Sequence, residues 1–172
     1  MGELIEFDPV DGLTAGAFGE PGQRTFVIQA RKGGARLSVL VEKEQVALLA
    51  AEAMQFLDRL ADDDPDLELD EEIDGDEVRE AVPLFRARLI GLGYDSMRGL
   101  VLVELREHAT DDDEDPPLPE DAEGRVVRLY ATRAQVRAMV DRGVEAVASG
   151  RPACPLCDFP MDPAGHVCPR WN

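Results

Sequence analysis

The sequence predicts an α+β domain made of two βββα units, whose strands form antiparallel sheets with two packed helices, followed by a zinc-knuckle-like tail. Three observations predict it. In each half, short segments rich in β-branched and apolar residues give way to apolar residues at three- and four-residue spacing, the change from strand to helix period. The two helical segments superpose when the chain is shifted by 90 residues. All three cysteines and one of the two histidines fall within 15 residues near the C-terminus.

In the first half, Thr25 to Arg31 and Ala35 to Val41 flank Lys32-Gly33-Gly34, two β-rich runs around a short glycine turn, which reads as a hairpin. From Lys43 the period changes: Val46, Leu49, Ala50, Ala53, Leu57 and Leu60 line one helix face, and the helix is expected to end where an aspartate run begins. The second half repeats the order. Phe85 to Leu92 and Leu100 to Arg106 flank a turn around Tyr94-Asp95-Ser96, Arg125 to Tyr130 supplies a third strand, and a helix runs from about Thr132, its N-cap, to Ala148.

The 90-residue shift lays Gln45-Val46 on Gln135-Val136, Leu49 on Met139, Ala53 on Gly143 and Leu57 on Val147. A duplicated unit is the natural reading, and neither copy has enough surface to bury its own apolar face. The expected domain spans residues 3–149, with unit one over 3–60, an acidic linker over 61–80, and unit two over 84–149 interrupted by an acidic loop at 107–123; residues 150–172 form the tail.

The net charge of −18 is local. Residues 62–80 hold 12 acids and one base, and residues 107–123 hold nine acids and no Lys or Arg; the rest of the chain has 15 acids against 17 bases. Both runs read as solvated, since little apolar surface offsets the entropy of ordering them. Asp70, Glu72, Asp74 and Gly75 fit the opening of a calcium-binding EF-hand loop, but its twelfth position would be Ala81 where a bidentate Glu is needed, so calcium is set aside. The acidity repels phosphate backbones and argues against nucleic acid. No apolar run approaches the roughly 20 residues a bilayer requires, and the N-terminus lacks the basic and apolar regions of a secretory signal, so a cytoplasmic protein without a membrane span is expected.

The tail carries the one strong chemical pattern, Cys154-x2-Cys157-x8-His166-x-Cys168. Two residues between thiolates form a turn in which both sulfurs face one ion, and residues i and i+2 of an extended chain point to one side, so His166 and Cys168 supply the second pair. Three thiolates and an imidazole select Zn²⁺ in a closed structural site. A Cys154–Cys157 redox pair is the competing reading, but such a motif should open a helix after a strand, and Pro155 and Pro160 with the nearby His166 and Cys168 fit a metal better. Disulfide stapling would leave an odd cysteine.

Other patterns are weaker. Gly16-x-x-Gly19-x-x-Gly22 is read as turns and not as a phosphate cradle. His108, beside Glu104 and Glu107, reads as solvated at a strand end. Arg86, Arg88, Arg106, Arg125 and Arg128 could line an anion pocket, or simply pair with acids across the sheet.

Gly19-Glu20-Pro21-Gly22-Gln23-Arg24-Thr25-Phe26, Val41-Glu42-Lys43-Glu44-Gln45-Val46, Leu92-Gly93-Tyr94-Asp95 and the closing Cys-Pro-x-Cys with Asp-Pro-x-Gly-His-x-Cys-Pro-Arg-x-Asn extend over nearly the whole chain. With these motifs the sequence resembles an uncharacterised bacterial family, chiefly actinobacterial, known as domain of unknown function 3090 or as a bacterial repeat-protein family. The resemblance implies a cytoplasmic bacterial protein and assigns it no reaction.

The function expected is therefore a zinc-stabilised, non-enzymatic adaptor or regulatory protein that binds another protein. The alternatives are an enzyme or small-anion-binding protein using the strand arginines, and nucleic-acid binding through Arg151, Phe159, Arg170 and Trp171 of the tail.

Overall fold

A computed structural model describes residues 2–20, 22–63, 73, 75–108, 124–150, 152–159, 161 and 165–171. The strands are β1 (Glu3–Phe7), β2 (Gly12–Phe18), β3 (Thr25–Lys32), β4 (Ala35–Val41), β5 (Leu89–Asp95), β6 (Leu100–Arg106) and β7 (Arg125–Ala131), and the helices are α1 (Lys43–Asp63) and α2 (Arg133–Ala148). The class is α+β. One sheet has the order β2-β3-β4 and the other β1-β7-β6-β5.

The hairpins follow from local chemistry. Lys32 faces Ala35 across Gly33-Gly34, and Gly33 takes φ 55°, which glycine alone adopts at no steric cost. The second-half turn lies at Ser96–Gly99, slightly beyond the Tyr94–Ser96 expected, because the Asp95 carboxylate accepts the N–H groups of Met97 and Arg98 and Gly99 takes φ 67°. Thr132 caps α2 in a capping box with Gln135. Helix α1 continues through Asp62 and Asp63, so it reaches into the first acidic run.

The sheets are antiparallel except at two places. β1 runs parallel to β7, with Leu4 beside Val126 and Phe7 beside Leu129. Pro9 has no N–H to continue a ladder, and the chain crosses to the other sheet, where Asp11 N–H donates to the Arg31 carbonyl at 2.7 Å. The expected strand Phe85–Leu92 is likewise divided: Arg86 bridges Leu40 in parallel, and one residue beyond Ala87 the Arg88 N–H turns to the Arg106 carbonyl at 2.8 Å. Each half thus adds its leading segment to the sheet of the other.

Ladder positions correspond between halves. Gln29 stands between Thr14 and Ser38 as Glu104 stands between Gly91 and Arg128. Where the first half turns with Gly33-Gly34, the second inserts residues 107–124, which contain the second acidic run.

A single core joins both sheets and both helices, including Ile28, Val39, Leu57, Val103, Leu129 and Met139. α2 packs on β2, a strand of the other half. Gly143 permits this, since a Cβ there would lie 3.0 Å from Val46 Cγ1 and 3.5 Å from Ala15 Cβ.

The end of the supposed linker is held on the protein. The Gln29 amide, fully buried, donates to the Arg79 carbonyl at 2.6 Å and accepts the Arg79 N–H at 2.9 Å, imitating a backbone partner. Arg31 holds Asp76 at 3.1 Å, and Val78 covers Gly16. Residues 75–80, at the end of the expected acidic linker, thus lie against the β3 face, because a buried amide there needs a backbone to satisfy it. Asp70, Glu72, Asp74 and the run 111–121 lie outside the described residues.

Candidate metal centre

The tail builds its site from two turns. Asp158 N–H donates to the Cys154 carbonyl at 2.9 Å and Cys154 N–H to the Phe159 carbonyl at 2.8 Å, closing a loop over Pro155-Leu156-Cys157. Asp158 takes φ 59°, a left-handed conformation that a short polar side chain tolerates better than most. Met161 N–H reaches the Pro152 carbonyl at 2.9 Å, and Trp171 N–H donates to the Cys168 carbonyl at 3.1 Å in the second turn. No helix follows Cys157 among the described residues, which removes the context a redox Cys-x-x-Cys motif requires.

These turns bring all four expected ligands together. One ligand atom from each of Cys154, Cys157, His166 and Cys168 lies within 4.8 Å of the others. Cys154 Sγ and Cys168 Sγ are 3.9 Å apart, and Cys157 Sγ is 3.3 Å from His166 Nε2. Ligands bound to one ion at about 2.0–2.3 Å in a tetrahedron stand roughly 3.3–3.8 Å from one another, so donor types and spacing both suit a metal. Cys154 and Cys168 are buried, while Cys157 and His166 are partly exposed.

Electrostatics favour a cation at this point. Backbone N–H groups of Leu156 and Cys157 turn toward the Cys154 sulfur and lower its thiol to about 7. Burial pushes the Cys157 thiol up, and the neighbouring Cys154 and Cys168 sulfurs add to the effect. Gathering thiolates is therefore self-limiting until a positive ion compensates them.

Four of the five strand arginines are paired with acids. Arg106 and Arg128 both donate through Nε to Glu104, at 2.6 and 2.7 Å. Burial opposes ionisation of Glu104, yet these two bonds outweigh it and the carboxyl lies below its ordinary range. Arg125 pairs with Glu107 at 2.9 Å beneath the Phe85 ring, and Arg86 pairs with Glu42. His108 is exposed, and Gly19 and Gly22 take positive φ in the β2–β3 loop, as turn residues do. Sequence reading missed a cleft between β2 and α2: Gly16 and Gly19 of the glycine series line it, but its other sides come from residues 76–78 and α2, which meet them only by packing. Among the described residues no helix is long and apolar enough to cross a membrane.

A family model described as protein of unknown function, DUF3090, matches residues 5–168. The chain belongs to this family. The match spans both helices, all the strands with β1 from Ile5 onward, and the four Cys/His residues, so the DUF3090 unit includes this cluster along with the α+β domain. No curated protein and no solved structure matches the chain.

Proposed function

We propose that this DUF3090 protein is a cytoplasmic, non-enzymatic adaptor or regulatory protein whose tail is folded by one Zn²⁺ and binds another protein. The observation that carries the reading is the four-residue cluster within 4.8 Å. Three thiolates and an imidazole are the donors zinc prefers among common divalent ions, and four protein ligands leave no place for a catalytic water. The ion supplies folding energy to a segment with too few apolar groups for a core of its own.

Support for a protein partner comes from what the tail leaves outside. Leu156, Phe159, Val167 and Trp171 are all exposed, a concentration of large apolar side chains that a structural metal would hold in fixed positions. The ladder correspondence between halves supports duplication of one unit as the origin of the domain.

The test has two parts. Protein purified without an affinity tag should contain close to one zinc per chain by elemental analysis. Capture from the native cytoplasm, with Phe159→Ser/Trp171→Ser alongside the wild type, should recover a protein partner that the variant loses. Recovery of RNA dependent on these two rings would instead favour nucleic-acid binding.

A further inference from the structure

An open cleft of about 480 Å³ lies between β2 and α2, bounded on its third side by residues 76–78. Thr14 forms part of its floor, is 1% exposed, and its Oγ1 has no hydrogen-bond partner. An unsatisfied buried hydroxyl is costly, and the neighbouring Gln29 on the same face is fully matched by Arg79, so the exception at Thr14 calls for a partner from the cleft.

The charges around it are only partly paired. Arg31 holds Asp76 at 3.1 and 3.4 Å, which neutralises that acid. Among the described residues Arg24 makes one bond, to Ser149 Oγ at 2.9 Å. Among the described residues Arg142 has only distant partners, the Gly75 carbonyl at 3.4 Å and Glu145 at 3.8 Å. A guanidinium has five N–H donors, so most donors of both arginines remain available. Glu77 and Glu145 line the same cleft and are exposed. A simple anion would meet two carboxylates there, and a simple cation two guanidiniums. Only a ligand with both signs satisfies the set.

We propose that this cleft binds a small zwitterion bearing a carboxylate or phosphate at one end and an ammonium at the other. Arg24 and Arg142 take the anionic end, Glu77 and Glu145 the ammonium, and the Thr14 hydroxyl orients the ligand from the floor. The volume lies in the range of small-molecule sites, and among the described residues no aromatic ring lines it to stack a nucleobase. Small residues on β2 keep the floor low: a Cβ at Gly16 would lie 2.8 Å from Val78 Cγ2.

The full chain, zinc-loaded, is titrated with the 20 standard amino acids, phosphoserine and phosphoethanolamine, and with acetate, inorganic phosphate and methylammonium, while backbone amide NMR shifts are followed. At least one zwitterion should shift the amides of Thr14, Gly16 and Ala146 and bind about tenfold or more tightly than either matching single ion, given the strength of charge-assisted bonds. The amino acids against phosphoethanolamine decide between carboxylate and phosphate. Arg142→Gln, on a helix surface, should weaken binding about tenfold with Tm little changed. Thr14→Val should raise Tm by a few degrees while weakening binding about fivefold, since it removes an unmatched hydroxyl at constant shape. The proposal is overturned if no zwitterion in the panel binds, if single ions bind as well, or if Thr14→Val lowers Tm and leaves binding intact.

Discussion

Gln45 and Gln135, 90 residues apart, make the same two hydrogen bonds from opposite halves of the protein. Gln135 Oε1 accepts the Thr132 N–H at 2.9 Å and its Nε2 donates to the Val10 carbonyl at 3.2 Å. Gln45 Oε1 accepts the Glu42 N–H at 2.8 Å and its Nε2 donates to the Ala87 carbonyl at 3.2 Å. Val10 and Ala87 lie where each leading segment joins the other half's sheet, with their own N–H groups on the Tyr130 and Leu40 carbonyls. One side chain thus starts a helix and fastens the crossing of the two halves.

Gln135→Ala removes both bonds and should destabilise the protein by about 1–2 kcal/mol, as the loss of a cap together with one buried bond. Gln45→Ala should cost a similar amount, and the two should add, because the sites share no partner. Urea unfolding of the single and double variants checks this.

Gln29→Leu keeps the volume near that of the native side chain but abandons the Arg79 N–H and carbonyl. A loss of about 1–3 kcal/mol is expected. Hydrogen exchange should show faster opening of residues 75–80, while the slow amides of β6 and β7 keep their protection until global unfolding. Unchanged exchange over 75–80 would mean that this segment is held by something other than Gln29.

Glu107 is held at about 2 by the guanidinium and backbone N–H of Arg125. An unfolded Glu titrates near about 4.3, so the folded carboxyl is the stronger acid and its stabilising contribution is complete above that value. It fades as pH falls from there and is lost once pH passes through about 2. Glu104, also lowered, contributes in the same direction. Glu107→Gln should flatten the acid limb of a stability-against-pH curve between roughly pH 4.3 and 2, with little change in its slope above pH 5.

Cys157→Ser should abolish the proposed zinc binding and make the tail sensitive to protease, while circular dichroism of the sheets and helices changes little. The physical basis is separation: the core draws on residues from Val10 to Val140, and none of the four Cys/His residues belongs to it. Loss of the β-sheet signal on metal removal would show that the tail supports the domain.

The local features were legible in the sequence. Period-3.6 spacing places Val46, Leu49 and Ala53 on one helix face, Gly33-Gly34 turns a hairpin, and Thr132 with Gln135 starts a helix. The Cys/His cluster was legible for the same reason, since its four residues lie within 15 positions and need only two short turns to meet. Tertiary structure alone decided that β1 pairs with β7, that residues 84–88 run beside β4, and that residues 75–80 lie across Gln29. Those contacts are made largely through backbone N–H and carbonyl groups, which every residue but proline presents alike, so no side-chain pattern marks them. The cleft is the extreme case: Thr14 and Arg24 flank one hairpin, but Arg142, in the other half of the chain, becomes their neighbour only when α2 packs on β2.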